Sequence, residues 1–219
     1  MTKVCIAIVS NRLIQPKMVL SLTNLLRETK YETHVVIATE GYTTAQSRIY
    51  CVMQAIRNNC THILYLDDDM TFEPNVLEVL METGKEIVGV NSYSRTFPLS
   101  TTVALLKDCK HWPHNEIPGF WKIPEELFEC YAIGMGVALI NMEVFGKIAK
   151  PWFKFDMHRD GYMIQGEDMW FCSQARKKGY SIWVEPKLKI GHIGNFTFSE
   201  EKEAEVKKFY NPHENVISI

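Results

Sequence analysis

At 219 residues, with 46% hydrophobic and 23% charged side chains, the chain is long enough to bury one sizeable core, too short for two full domains, and too apolar for extended disorder. Its 24 basic and 26 acidic side chains leave a net charge of -2, which excludes a global electrostatic footprint for nucleic acid and leaves only local basic clusters, Arg176-Lys177-Lys178 and Lys187/Lys189. No segment approaches a membrane span, and the apolar run 3–9 lacks the small-residue cleavage site of a signal peptide, so a cytoplasmic protein is expected.

Strands alternate with helical patterns through the first half, the signature of a mainly parallel sheet. Residues 4–10 read as the first strand. A helix follows from Pro16, a favoured first helical residue, with Leu20, Leu22, Leu25 and Leu26 on its apolar side. The second strand is 34–39, closed by Glu40-Gly41. A helix over 44–58 carries Ile49, Val52, Met53 and Ile56 as its stripe. The third strand, 63–66, runs into Asp67-Asp68-Asp69. Thr71, Glu73 and Pro74 then announce a helix over 74–83, followed by a fourth strand at 86–91. Right-handed crossovers would bring these strand ends to one rim.

Between 93 and 129 the rhythm breaks, with Trp112, Phe120 and Trp121 in a stretch of little periodicity: either a substrate-facing region or the cover of a small satellite core. Residues 131–141 look strand-like, 143–149 form a short helix, and a helix from Gly166-Glu167-Asp168 ends at Gly179, an expected left-handed residue, before a strand at 181–184. A charged helix over 199–209 closes the chain. Cys5, Cys51, Cys60, Cys109, Cys130 and Cys172 are scattered without a close pair, so buried reduced thiols are expected rather than a zinc site or a disulfide framework.

The three carboxylates at the end of the third strand are the densest chemical signal. Packed acids repel, and a hard cation or a set of donors is the usual compensation. Side-chain alternation puts Asp67 and Asp69 on one face at the strand's carboxyl end, where open α/β sheets bind ligands, with Asp68 pointing elsewhere. The competing reading is a polar loop with an acidic helix cap.

With its surroundings this strand end resembles the Asp-x-Asp motif of GT-A-type glycosyltransferases, and four further segments agree in order across most of the chain: Gln46-Ser47-Arg48, the run Ile133-Gly134-Met135-Gly136-Val137-Ala138-Leu139-Ile140, Gly166-Glu167-Asp168, and Gly191-His192-Ile193-Gly194. The closest resemblance is to small family-2-like enzymes of the kind carried by bacteriophages, without the accessory region or the QxxRW-type motif of processive synthases, which favours transfer of a single sugar. The resemblance implies one α/β domain with a GT-A Rossmann-like, mainly parallel sheet flanked by helices. Residues 1–98 would form a nucleotide-sugar-binding half, 99–198 an acceptor-side half, and 199–219 a terminal helix and tail.

It also implies roles. Asp67, Asp69 and His192 would hold Mn²⁺ or Mg²⁺, with Asp67 either on the metal or acting through water and the ribose. One nitrogen ligand tilts the choice slightly toward Mn²⁺. Arg48 would offset the donor diphosphate. Ser10, Asn11, Arg12, Glu40 and Asp68 would lie beside the nucleotide. Asp168 would be the general base, with Glu167 its competitor, and the reaction would invert the anomeric carbon. Each residue has a plainer reading: Arg48 as a surface helix arginine, Glu167 and Asp168 as acids favoured by a helix dipole, Glu40 as a solvated turn acid, His192 as a structural hydrogen bonder. The donor base and sugar are not legible in these residues; the resemblance points to a UDP-sugar. The acceptor would be a glycan, a protein or hydroxymethylated DNA. Two alternatives compete. A sugar nucleotidyltransferase would carry a glycine-rich basic loop after the first strand, which Val9-Ser10-Asn11-Arg12-Leu13 is not, and a non-catalytic nucleotide-sugar-binding module would have no need of a base.

Overall fold

The structure, a computed structural model, describes residues 2–10, 13–39, 43–95, 99–104, 123–194 and 197–201. The chain runs β1 (Lys3–Val9), α1 (Pro16–Glu28), β2 (Glu32–Ala38), α2 (Thr44–Arg57), β3 (His62–Asp67), β4 (Met70–Thr71), α3 (Val76–Glu82), β5 (Ile87–Gly89), β6 (Phe128–Cys130), β7 (Val137–Asn141), α4 (Met142–Lys147), β8 (Asp156–Met157), β9 (Met163–Gln165), α5 (Glu167–Lys177), β10 (Ile182–Val184), β11 (Gly191–Ile193) and β12 (Thr197–Phe198). Seven strands form the central sheet in the order β2-β1-β3-β7-β5-β10-β6. The strands run parallel except β7, antiparallel to β3 and β5, and β6, antiparallel to β10. This is the expected single α/β domain with a mainly parallel sheet flanked by helices.

Alternation along β1 builds both layers. Cys5, Ala7 and Val9 face a core shared with Val52 and Ala55 of α2 and with Phe145, Phe153 and Phe171. Val4, Ile6 and Ile8 face the opposite core, with Met18 and Leu25 of α1 and Leu77 and Leu80 of α3. A strand buried on both faces reads as a continuous apolar run, as β1 does, and each fully buried Val or Ile contributes about 1.5–3 kcal/mol.

The predicted helix stripes need correcting. On α1 Leu25 is buried as expected and Leu22 and Leu26 pack against the core, but Leu20 is exposed and Met18 is buried as well. On α2, Met53 and Ile56 face solvent, while the buried side is Ala45, Ser47, Arg48, Cys51, Val52 and Ala55. Val52 is buried and Ile49 packs against the core as expected, while the small residues Ala45, Ser47 and Ala55 let the helix lie close to the sheet. In the sheet β7 inserts between β3 and β5 and pairs antiparallel with both. Of the strand-like 131–141 only 137–141 is a strand, β7, with β6 lying just before the predicted stretch, and Met70–Thr71 is strand β4 rather than the approach to a helix, α3 beginning at Val76.

Among the described residues no helix is long and apolar enough to cross a membrane. Cys5, Cys51, Cys60, Cys130 and Cys172 are free and buried. Cys109, Trp112, Phe120, Trp121 and most of the predicted tail helix lie outside the described residues.

Candidate active site

The acidic run sits where β3 ends. Asp67 is the last residue of the strand, its amide donating to Gly136 O at 2.9 Å, and Asp68-Asp69 form a turn into β4. Alternation therefore stops at Asp67, and Asp69 is placed by the turn. Its shape is fixed by backbone bonds from both sides, Gln15 N to Asp68 O at 3.1 Å and Ile193 N to Asp69 O at 2.7 Å. A Cβ on Gly136 would collide with Met70 Cε and stand 3.5 Å from Asp67 Oδ2, so the glycine-rich segment lets a backbone pass directly under the acids.

The three carboxylates have three different partners. Ser10 Oγ, just beyond β1, donates to Asp68 Oδ2 at 2.7 Å. Asp67 meets Arg48, whose Nη2 lies 3.2 Å from Oδ1. Asp69 Oδ2 faces His192 Nε2 at 3.4 Å and Arg95 Nη1 at 2.9 Å.

Arg48 is not the surface arginine that a helix position suggests. A capping box, with Gln46 N donating to Thr43 Oγ1 at 3.3 Å and Thr43 N donating to Gln46 Oε1 at 2.9 Å, starts α2 so that Arg48 faces the sheet. Only 2% of it is exposed. Its Nε donates to Glu167 Oε1 at 3.2 Å, its Nη1 to Met135 O at 3.4 Å, and it lies over the Tyr65 ring, whose hydroxyl donates to Arg48 O at 3.0 Å. Burial opposes its charge, but Asp67 and Glu167 outweigh that and hold it firmly cationic. Burial likewise pushes the Asp67 carboxyl up, and Arg48 pulls it back only in part. An arginine expected at the diphosphate is thus spent on a buried bridge between the acidic strand end and the Gly166-Glu167-Asp168 segment.

That segment opens α5. Gly166 is the N-cap and makes no side-chain cap bond, Glu167 is buried against Arg48, and Asp168 Oδ1 accepts from Met169 N at 2.7 Å. The helix start is anchored by aromatic packing: Phe171 stacks on Phe153 at 4.9 Å, and Phe153 meets Tyr65 edge-on at 5.7 Å. Burial, reinforced by Glu167, raises the Asp168 carboxyl to about 6. Two adjacent acids therefore differ: Glu167 is neutralised by a guanidinium, whereas Asp168 has a proton affinity suited to exchange near neutrality.

His192 lies in β11, paired with Met70 of β4. Its Nδ1 is 2.8 Å from Tyr93 O, an atom that only accepts, so Nδ1 carries a proton and Nε2 is turned to Asp69. Burial works against the imidazolium, but Asp69 and the Tyr93 carbonyl raise its pKa overall. Burial also opposes the Asp69 carboxylate, and His192 and Arg95 bring it below its usual range. An imidazole fixed by a backbone carbonyl, its other nitrogen beside a carboxylate oxygen, fits a divalent cation of the Mn²⁺ or Mg²⁺ kind. Among the described residues no three His, Cys, Asp or Glu side chains converge. The structure brings Asp69 and His192 together and pairs Asp67 with Arg48. Two protein ligands suit an ion whose other positions are filled by phosphates and water.

Asn11, Arg12 and Glu40 lie outside the described residues. The basic clusters are partly neutralised, Arg176 by Glu129 at 3.2 Å and Lys187 by Glu126 at 2.8 Å. Sequence reasoning missed Arg95, which carries no motif and is only the first basic residue beyond the fourth strand.

No protein-family model and no curated protein matches the chain. Among solved structures, A197 from STIV is 19% identical, with 92% of this chain and 91% of that one covered and a TM-score of 0.60, so the two share a fold. GalNAc-T7 with UDP, GalNAc and Mn²⁺ is 11% identical over 88% of this chain and 44% of its own, with a TM-score of 0.49. A Drosophila β-1,4-galactosyltransferase 7 mutant with manganese, UDP-Gal and xylobiose is 16% identical over 91% and 70%, also at 0.49. Scores this low carry nothing from these two glycosyltransferases to the present chain.

Proposed function

We propose that this chain is a metal-dependent GT-A-type glycosyltransferase that moves one sugar from a nucleotide-sugar donor, a UDP-sugar first among them, to an acceptor hydroxyl with inversion. The observation that carries the reading is the Asp67-Arg48-Glu167 bridge: it ties the acid turn, with its Asp69-His192 pair, to the helix start that bears Asp168, a carboxyl raised to about 6. A bare binding module has no use for a desolvated base locked to its acidic strand end.

In this reading Asp69 and His192 hold a divalent cation, which when bound supplies Lewis-acid stabilisation of the charge that grows on the leaving diphosphate. Asp168 accepts the proton of the acceptor hydroxyl as that oxygen attacks the anomeric carbon from the face opposite the leaving group. Glu167, held by Arg48, orients the helix start. Ser10 fixes Asp68 and so shapes the nucleotide side of the turn. Residues 1–98 serve the donor, with His192 joining them at the cation, and the rest of 99–198 serves the acceptor. Cys130 and Cys172 are buried with thiol pKa values pushed up by desolvation, Cys172 to about 12, so they are poor nucleophiles for a two-step retaining route. An α-linked donor then yields a β-linked product.

The test is mass spectrometry of glycan, protein and hydroxymethylated-DNA acceptors incubated with a panel of nucleotide sugars and Mn²⁺, alongside Asp168→Asn. Transfer by the wild type and its collapse by about 10²–10⁴-fold in the variant, with donor affinity retained, is expected for loss of a general base. Donor binding without transfer or hydrolysis across the whole panel would favour the binding module, and formation of a nucleotide sugar from a sugar phosphate would favour the nucleotidyltransferase.

A further inference from the structure

A second arginine reaches the acid turn from the segment after β5. The stem of that segment is pinned: Tyr93 bridges Thr101 in antiparallel fashion, Ser94 N donates to Ser100 O at 2.8 Å, and the Ser94 and Ser100 hydroxyls are 2.7 Å apart. Arg95 is the first residue past this stem. Its side chain is 45% exposed, and Nη1 sits 2.9 Å from Asp69 Oδ2, the same oxygen that His192 Nε2 approaches at 3.4 Å. The guanidinium thus neutralises the oxygen that the Asp69-His192 donor pair would offer to a divalent ion.

The two arginines of the site differ in freedom. Arg48 cannot leave its place without stranding Asp67 and Glu167 as unpaired acids. Arg95 can, because a pair whose arginine side chain is 45% exposed holds only weakly, and its pinned stem lets the side chain turn about a fixed anchor. The planar fork of a guanidinium also matches two phosphate oxygens, which a single carboxylate oxygen does not exploit.

We propose that Arg95 is an exchangeable counter-cation: it neutralises Asp69 when no divalent ion is bound, and when an ion takes Asp69 it turns to the diphosphate of the donor. Arg95 therefore opposes the cation when the cation binds alone and supports the diphosphate once the cation is in place. The first half stands on the geometry of Asp69; the second rests on the glycosyltransferase reading.

Calorimetry on the full chain separates the two. Wild type, Arg95→Gln and Arg95→Lys are titrated with Mn²⁺ alone and then, at saturating Mn²⁺, with UDP and with GDP, with melting curves recorded to verify equal folding. Arg95→Gln is expected to bind Mn²⁺ about threefold to tenfold more tightly than wild type and to bind the nucleoside diphosphate about tenfold more weakly. Arg95→Lys keeps the competition with Mn²⁺ and loses part of the diphosphate affinity. Mn²⁺ affinity unchanged or weakened in Arg95→Gln overturns the first half, since an arginine that merely braces the turn gives that result. Unchanged diphosphate affinity in Arg95→Gln overturns the second. A wild type that takes up Mn²⁺ but neither nucleotide sinks the glycosyltransferase reading and the second half together, while the Mn²⁺ comparison still decides the first.

Discussion

Two acid-cation clusters stand side by side at the end of β3, and they differ in how much water they see. Around Arg48 the side chains are sealed: the residue is 2% exposed, and its guanidinium meets two carboxylates, a carbonyl and an aromatic face. Around Asp69 the acid shares one oxygen between a partly buried imidazole and a half-exposed arginine. Buried charges must stay paired because the alternative is an unsolvated ion, whereas exposed pairs can change partners at little cost. The same ingredients thus give a fixed brace in one place and an adaptable corner two residues further on.

The largest effect expected from breaking this contrast is on the sealed side. Arg48→Met strands Asp67 and Glu167, and chemical denaturation should read a loss of about 3–5 kcal/mol. A variant as stable as wild type would mean that the two acids find other partners and that the bridge is no brace. On the open side the cost moves from folding to chemistry. Asp69→Ala should leave the denaturation midpoint nearly unchanged but remove about 2–4 kcal/mol of transition-state stabilisation, with Mn²⁺ no longer activating; turnover undiminished in chelated buffer would dismiss the metal role.

Asp168 lies between the two regimes. Its carboxyl is raised from the ordinary 3.8 to about 6 by burial and by Glu167, so the native state holds this proton more tightly than the unfolded chain does. The resulting stability is fully present below pH 3.8 and is lost as pH rises through about 6. Asp168→Asn, which has nothing to ionise, should therefore gain about 1–2 kcal/mol over wild type at pH 7, a difference that closes toward pH 4. Over the same window wild-type turnover should climb as the base loses its proton, and a rate independent of pH between 5 and 7 would take the base role from Asp168. The smallest effect is Arg95→Gln on stability, within about 0.5 kcal/mol, as befits an exposed pair; a loss comparable to that of Arg48→Met would make Arg95 a second brace.

The strands β1, β2, β3, β5, β7 and β10, most helices and the acidic strand end are legible in the chain because they rest on local rules. β1 is apolar on both faces, α1 begins on Pro16, α5 is bounded by Gly166 and by Gly179 at φ 87°, and the acidic run falls at a strand end as its pattern implies. Local rules fail where the partner is distant in sequence. Nothing around Val137 says that β7 inserts between β3 and β5, and nothing around Met53 or Ile56 says that α2 would bury Ala55 and Arg48 in their place.

The acids and the histidine were thus set by sequence, and their partnerships by the fold. Arg48 meets Glu167 across 119 residues, Tyr93 sets the His192 proton across 99, and Arg95 reaches Asp69 from a segment that bears no motif. An ion pair depends on which groups share a desolvated space, and that space exists only once sheet order and helix faces are chosen by packing. The sequence names the charges at this site; only the assembled chain decides which of them are locked together and which remain free to exchange.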